Sequence, residues 1–236
     1  MNITVVIPTY NEISNLEELV KKIAREQIPN LSILVVDDNS PDGTGELAEK
    51  LKKEFPLSVL HRKEKQGLGS AYVEAFSFLL SLEGKQKVDY IFEMDADLSH
   101  NPGDFHRFLD TISNADVVLG SRYVPGGKVE NWGVIRRLIS RFGNTYARFV
   151  LGLSYHDLTG GFKLYKREVL EAIDLQKVSS VGYNFQIETT YRAHKKNFSI
   201  TEIPIVFSER KNGVSKFNLR IILESFWRVI ELRIRG

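Results

Sequence analysis

The sequence predicts an α/β protein: a mainly parallel twisted sheet with helices on both faces. Three observations carry that expectation. Short β-rich runs alternate with helical patterns through the first half, runs such as ITVVIP and VDYIFEM have the continuous apolar character of buried strands, and no stretch has a linker's composition. At 236 residues the chain is long enough to bury a substantial core. The missing linker leaves it as one domain, residues 1–236, with an amphipathic helix over 217–235.

The elements follow in order. NITVVIP reads as the first strand and Pro8 ends it; Ser14 with Glu17 three residues on makes a capping box for a helix reaching about Glu26. LSILVVD is the second strand, Pro41-Asp42-Gly43 is turn chemistry, and a helix runs from Thr44 to Glu54. LSVLHR, a helix from Gly69 to Leu82, and DYIFEMD come next. Asn101-Pro102 then looks like an N-cap and first-turn proline for a helix to about Ile112, and ADVVLG is the fifth strand. The second half has fewer strands, and its helices carry basic residues.

From Val134 to Val150 the positions Ile135, Leu138, Ile139, Phe142, Tyr146, Phe149 and Val150 keep helical spacing, and Arg136, Arg137, Arg141 and Arg148 supply charge. Near the C-terminus Leu219, Ile222, Leu223, Phe226 and Ile230 form a second stripe. Core packing is the first expectation for both stripes. The alternative is a helix lying in a membrane interface, which Trp227, Arg220, Arg228, Arg233 and Arg235 would suit.

Composition removes several classes of function. A formal charge of +2, from 32 basic and 30 acidic residues, argues against a general nucleic-acid binder. The absence of cysteine excludes disulfides, thiolate metal sites and cysteine nucleophiles, and suits a cytoplasmic protein. The five histidines show no metal-ligand spacing. Met1 leads straight into a strand without a signal-peptide pattern, and no run approaches the ~18 apolar residues of a membrane span. Any work at a bilayer is therefore expected on its cytosolic face, as a peripheral protein.

Open α/β sheets bind ligands outside the carboxyl ends of their strands. Those ends carry PTYNE, DDNSPDGT, DADLSH and SRYVPGG, so Glu12, Asp37/Asp38 and Asp95/Asp97 are expected on one edge. Asp95 and Asp97, with only Ala96 between them, repel each other and need solvent, hydrogen bonds or a cation. Taken alone they fit a solvated strand end; three converging acidic groups fit a polar ligand held with a divalent cation.

IPTYNE, VVDDNSPDGT, MDADLSH, GSRYVPGGKVENW and RKNGVSK, in that order over residues 3–217, resemble the family-two glycosyltransferases of the GT-A fold, a Rossmann-like nucleotide-sugar-binding architecture. Within that family the chain looks most like the dolichyl-phosphate and polyprenyl-phosphate hexose synthases. The resemblance implies that Pro8, Tyr10, Glu12, Val36 and Asp38 hold the nucleoside. It also implies that Asp95, Ala96 and Asp97 hold ribose and metal, with Asp95 and Asp97 the ligands of Mg2+ or Mn2+. Arg210 and Lys216 would close over the donor diphosphate, and Arg122, Arg136 and Ser140 would grip the acceptor phosphate. Family members often carry Gln where this chain has Ser99, a departure at the third metal ligand.

The implied reaction is an inverting transfer of a hexose, with GDP-mannose the favoured donor, onto dolichyl or polyprenyl phosphate. UDP-glucose is the alternative donor. A phosphate monoester is largely dianionic at neutral pH, so no general base is assigned, and catalysis falls to Asp97, Arg122 and Arg136. Gly126-Gly127 and Asn212-Gly213 are candidate hinges or ordinary turns. A membrane-anchoring partner subunit, or the chain's own basic helices, would bring it to its lipid. The rivals are a receiver-like Mg2+-binding signalling domain, which VVDDNS also resembles, a binding protein without catalysis, and a processive polysaccharide synthase. The last fits poorly, because the chain lacks a Gln-x-x-Arg-Trp motif.

Overall fold

A computed structural model describes residues 1–178, 182–209 and 219–235. Strands β1 (Ile3–Thr9), β2 (Leu31–Asp37) and β3 (Leu57–His61) alternate with helices α1 (Ile13–Arg25), α2 (Thr44–Leu51) and α3 (Leu68–Ser81). Strand β4 (Tyr90–Glu93), helix α4 (Phe105–Ile112) and strand β5 (Val117–Ser121) follow. The second half holds β6 (Lys128–Val129), α5 (Val134–Leu151), β7 (Lys163–Lys166), α6 (Arg167–Ala172), α7 (Tyr183–Lys195), β8 (Ile200–Pro204), β9 (Val206–Phe207) and α8 (Leu219–Arg235).

The main sheet has seven strands in the order β3-β2-β1-β4-β7-β5-β8, parallel except for β7, which runs antiparallel to both neighbours. A second, two-stranded sheet pairs β6 with β9. Because the chain moves outward from β1 to β3 and returns to the other side of β1 with β4, a topological switch point lies between β1 and β4. The loops carrying PTYNE and DADLSH both leave the sheet there.

Alternation along the central strands divides the core. Val5, Ile7, Ile33, Val35 and Phe92 pack on one face, and Val6, Leu34, Val36 and Ile91 on the other. A third cluster joins α5, α7 and α8 through Ala147, Leu151, Ile187, Tyr191 and Val229.

Four expectations need correction. No Ser14 capping box exists, because α1 already starts at Ile13: the Ile13 N–H donates to Asp42 Oδ2 (3.2 Å) and the Glu12 N–H to Thr44 Oγ1 (3.0 Å). Asp42 of the loop before α2, with Thr44 at the start of that helix, thus caps α1. The helix expected from Pro102 opens as a 3-10 turn, Pro102–Asp104, with Asn101 Oδ1 accepting from the Gly103 N–H (3.1 Å). α2 stops at Leu51, short of Glu54.

The fourth correction is the largest. The α5 stripe is not a core stripe: Ile135 is 75% and Phe149 88% exposed, and Leu138 and Phe142 are exposed as well. Only Tyr146 and Val150 of that stripe pack against the third cluster, while the buried residues of α5 are Asn144, Ala147 and Leu151. Helical spacing shows which residues share a face; among the described residues Phe226 of α8 meets Phe142 edge-on at 5.8 Å yet leaves it exposed. On α8 the side chains of residues 219–225, which include Leu219, Arg220, Ile222 and Leu223, lie outside those described; among the described ones Val229 is buried, Phe226 meets Tyr146 edge-on at 4.4 Å, and Trp227 is 67% exposed. Arg233 donates to the Leu151 carbonyl (3.3 Å), where a cation suits the C-terminal end of α5.

Candidate active site

One side of the switch point is set by the ends of β1, β2 and β3. Asp37 accepts from the Ser40 N–H (3.1 Å), from Ser40 Oγ (2.6 Å) and from Thr9 Oγ1 (3.2 Å), which ties the β1 and β2 ends together. Asp38 is buried against Arg62, whose guanidinium also donates to Glu74 (2.8 Å) and Ser70 (2.6 Å). Burial raises the Asp38 pKa, and the Arg62 guanidinium works against that rise. Lys65, from the same loop as Arg62, holds its ammonium 3.5 Å above the Tyr10 ring. Glu12 Oε2 accepts from Asn15 Nδ2 (2.8 Å), Pro8 is half-buried, and Val36 is wholly buried in the core, so only its backbone is near the edge.

The Asp-x-Asp turn follows β4. Ala96 packs into the core, Asp95 is half-buried and Asp97 buried. Asp97 Oδ1 accepts from the Ser99 N–H (3.1 Å), and the Asp95 N–H donates to His100 Nδ1 (3.3 Å). Burial lowers the His100 pKa to about 4, with Asp97 pulling upward, so the ring is neutral and its one proton sits on Nε2. Gly161 lies against the turn: a Cβ added there would be 3.3 Å from Asp95 Oδ2. Ser99 Oγ is buried without a hydrogen-bond partner.

Among the described residues no group of three or more His, Cys, Asp or Glu gathers into a complete metal site. Two carboxylates and an orphaned hydroxyl remain, an all-oxygen set. It fits a hard divalent cation that draws its other ligands from phosphate and water.

The opposite wall begins at the end of β5. Arg122, 6% exposed, donates through Nε and Nη2 to the two carboxylate oxygens of Asp157, each at 2.7 Å, and its backbone N–H reaches the same carboxylate (2.9 Å). Burial alone would raise Asp157; Arg122, by charge and hydrogen bonds, more than offsets it and leaves the pKa lowered. Asn144 of α5 fixes the same loop by accepting from the Leu158 N–H (2.7 Å). Gly127 folds back so closely that a Cβ would lie 2.6 Å from the Ser121 carbonyl, so it serves close approach of two backbones. Tyr123 donates to Ser140 Oγ (2.7 Å), and Arg136 stacks over Trp132 (3.9 Å) while pairing with Glu209 (2.9 Å).

The two walls meet through Phe207, whose ring is 5.4 Å from the Arg122 guanidinium and 5.4 Å from the His100 ring. Behind the turn, on the other face of the sheet, Lys163 of β7 stands opposite Glu93 of β4, both wholly buried. Lys163 Nζ donates to the Gln186 carbonyl (2.7 Å) and Thr190 Oγ1 (3.0 Å), and burial, opposed by Glu93, brings its pKa down to about 8.

The topology thus brings Pro8, Tyr10, Glu12, Asp38, Asp95 and Asp97 to strand ends flanking the switch point, and sets Arg122, Arg136 and Ser140 on the wall beside it. Arg210 and Lys216 lie outside the described residues. Sequence reasoning missed Arg62, Lys65, His100, Asp157 and Asn144. Of these, Arg62 and Lys65 had a readable signal, since both follow the third strand, whose carboxyl end opens on the same edge of the sheet.

A glycosyl transferase family 2 model matches residues 4–174, most of the chain. The chain belongs to that family. This family 2 glycosyltransferase is 48% identical over 235 residues to the polyprenol monophosphomannose synthase of Mycolicibacterium smegmatis, covering 98% of this chain and 87% of the relative. It is 43% identical to the undecaprenyl-phosphate mannosyltransferase of Micrococcus luteus, covering 95% and 91%. Among solved structures, the mannosyltransferase of Pyrobaculum calidifontis, crystallised with GDP-Man and Mn2+, superposes with a TM-score of 0.68 at 18% identity, over all of this chain and 64% of that one. At that identity the likeness establishes the GT-A fold, with its mostly parallel sheet.

Proposed function

We propose that this glycosyltransferase moves mannose from GDP-mannose onto the phosphate of a polyprenyl or dolichyl lipid, with inversion, at a membrane surface. The observation that carries the reading is the pairing of the Asp-x-Asp turn with an arginine wall that continues into a largely exposed apolar helix face. A sugar nucleotide needs the first, and a phosphate with a long hydrocarbon tail needs the second and third together. The relatives' names, with their polyprenol and undecaprenyl acceptors, point the same way.

The nucleophile would be an oxygen of the lipid phosphate, dianionic at neutral pH, attacking the anomeric carbon. One C–O bond forms as the bond to the diphosphate breaks, and no proton moves. Arg122, held rigid by Asp157, and Arg136, braced on Trp132, would orient that phosphate with Ser140 beside it. Asp95 and Asp97 would hold Mg2+ or Mn2+, which when bound neutralises the departing nucleoside diphosphate. Tyr10, Glu12 and Asp38 would line the nucleoside side, with Arg210 and Lys216 the expected cations over the diphosphate.

Among the described residues no helix is long and apolar enough to cross a membrane. The outer face of α5, with Arg137 and Arg141 among its exposed apolar residues, would instead lie in the interface of the cytosolic leaflet, where arginine meets lipid phosphate. A membrane-anchoring partner subunit would add to that contact.

The test is to incubate the protein with Mn2+, short-chain polyprenyl phosphate in vesicles, and GDP-mannose, GDP-glucose, UDP-glucose or UDP-galactose, identifying the glycolipid by mass. Mannosyl-phosphoryl polyprenol from GDP-mannose is expected. A glucosylated product would move the assignment to another sugar, and no glycolipid from any donor would sink it.

A further inference from the structure

The Asp-x-Asp turn holds a backbone conformation its sequence does not favour. Leu98 has φ +63°, the left-handed region that glycine and asparagine adopt readily and a bulky side chain does not. Such a residue persists where its surroundings over-determine it. Three bonds do so here: Ser99 N–H to Asp97 Oδ1 (3.1 Å), Ser208 N–H to the Ser99 carbonyl (3.2 Å), and Asp95 N–H to His100 Nδ1 (3.3 Å). The last joins the two ends of the turn and encloses both carboxylate-bearing residues within one closed loop. Its acceptor is itself immobile: the His100 ring, 3% exposed, stacks on Phe162 at 5.0 Å and 20° and meets Phe207 edge-on at 5.4 Å. Phe162 adjoins Gly161, the surface on which the Asp95 carboxylate rests.

We propose that His100 is a positioning residue for the cation site: clamped between Phe162 and Phe207, it accepts the hydrogen bond of the Asp95 N–H and holds the 95–100 turn, with Leu98 left-handed, before any ion arrives. The inference rests on the reading of Asp95 and Asp97 as ligands. It concerns preorganisation, in which affinity is gained by removing the need to order the site on binding. A histidine that merely filled space would be replaceable by any ring.

Two substitutions separate these roles. His100→Phe keeps an aromatic ring between Phe162 and Phe207 and deletes the acceptor; His100→Asn keeps an acceptor near Nδ1 and deletes most of the ring. Mn2+ binding to the full chain in the presence of GDP is measured by calorimetry and by the EPR signal of free Mn2+. His100→Phe is expected to weaken Mn2+ binding about tenfold or more, while His100→Asn stays within about threefold of wild type. Transfer by His100→Phe should need more Mn2+ yet approach the wild-type kcat at saturation, with the KM for lipid acceptor unchanged. Adding Leu98→Asn, which tolerates the left-handed geometry, should restore part of the lost affinity.

Mn2+ affinity in His100→Phe equal to wild type, or a loss in His100→Asn as large as in His100→Phe, overturns the proposal. Should His100→Phe fail to fold, the retention expected of His100→Asn decides alone, and a tenfold loss there overturns it. If the wild-type protein with GDP takes up no Mn2+, the cation reading itself falls; if it does and His100→Phe matches it, only the positioning role falls.

Discussion

The edge of the sheet around Asp95 and the outer face of α5 break the ordinary partition of side chains in opposite directions. At the edge, charged groups are inside: Asp38 with Arg62, and Asp157 with Arg122, are all buried. On α5 large apolar groups are outside, Ile135, Leu138, Phe142 and Phe149 among them. Burying a charge is costly unless it is paired and hydrogen-bonded, and each edge residue is. Exposing a cluster of apolar side chains is costly unless something covers it. In the first region the chain itself supplies the counter-charges of Asp38 and Asp157, which suits a site that must hold geometry. The second stays open among the described residues, as the proposed membrane contact requires.

The strongest way to break the comparison is at the turn. Asp97→Asn keeps an acceptor for the Ser99 N–H and removes the charge. Transfer is expected to fall about a thousandfold or more, with little change in melting temperature. Radiolabelled mannose transfer and circular dichroism check both halves, and turnover within tenfold of wild type would remove Asp97 from the cation site.

Next is the buried Arg122–Asp157 pair. Arg122→Met leaves Asp157 buried without its counter-charge, holding only the residue-122 backbone N–H and the Thr159 hydroxyl, at a cost of about 3–5 kcal/mol in urea unfolding, and the double variant Arg122→Met/Asp157→Leu should recover much of it. A single-variant cost below about 1 kcal/mol would mean that water already reaches the pair.

The smallest effect on the fold belongs to the open face. Ile135→Ser with Leu138→Ser should change stability by no more than about 0.5 kcal/mol, as surface substitutions do. Binding to anionic vesicles should nonetheless weaken about tenfold or more, read by co-sedimentation, since each side chain forfeits the burial a lipid interface offers. Unchanged vesicle binding, or a stability loss of core size, would reverse the contrast between the two regions.

Much of the architecture was legible in the chain. The early strand and helix alternation has its observed order, and four strand-end loops name most residues now at the edge. β7 escaped because FKLYKR is short and places Lys163, a residue expected on a surface, in the middle of the sheet opposite Glu93. Arg62 escaped although its position after the third strand was readable. Asp157 could not have been read, since it lies 35 residues beyond Arg122 with no motif to join them.

The amino-acid order alone determined the alternation of the early elements, the contents of four strand ends and the family to which they belong, because these rest on neighbours in the chain. Only the tertiary structure decided which charges pair, that Leu98 is held left-handed under His100, and that the α5 stripe faces outward. Partner and exposure depend on what folds back across a residue. Local periodicity orients a side chain but cannot say what, if anything, it will meet.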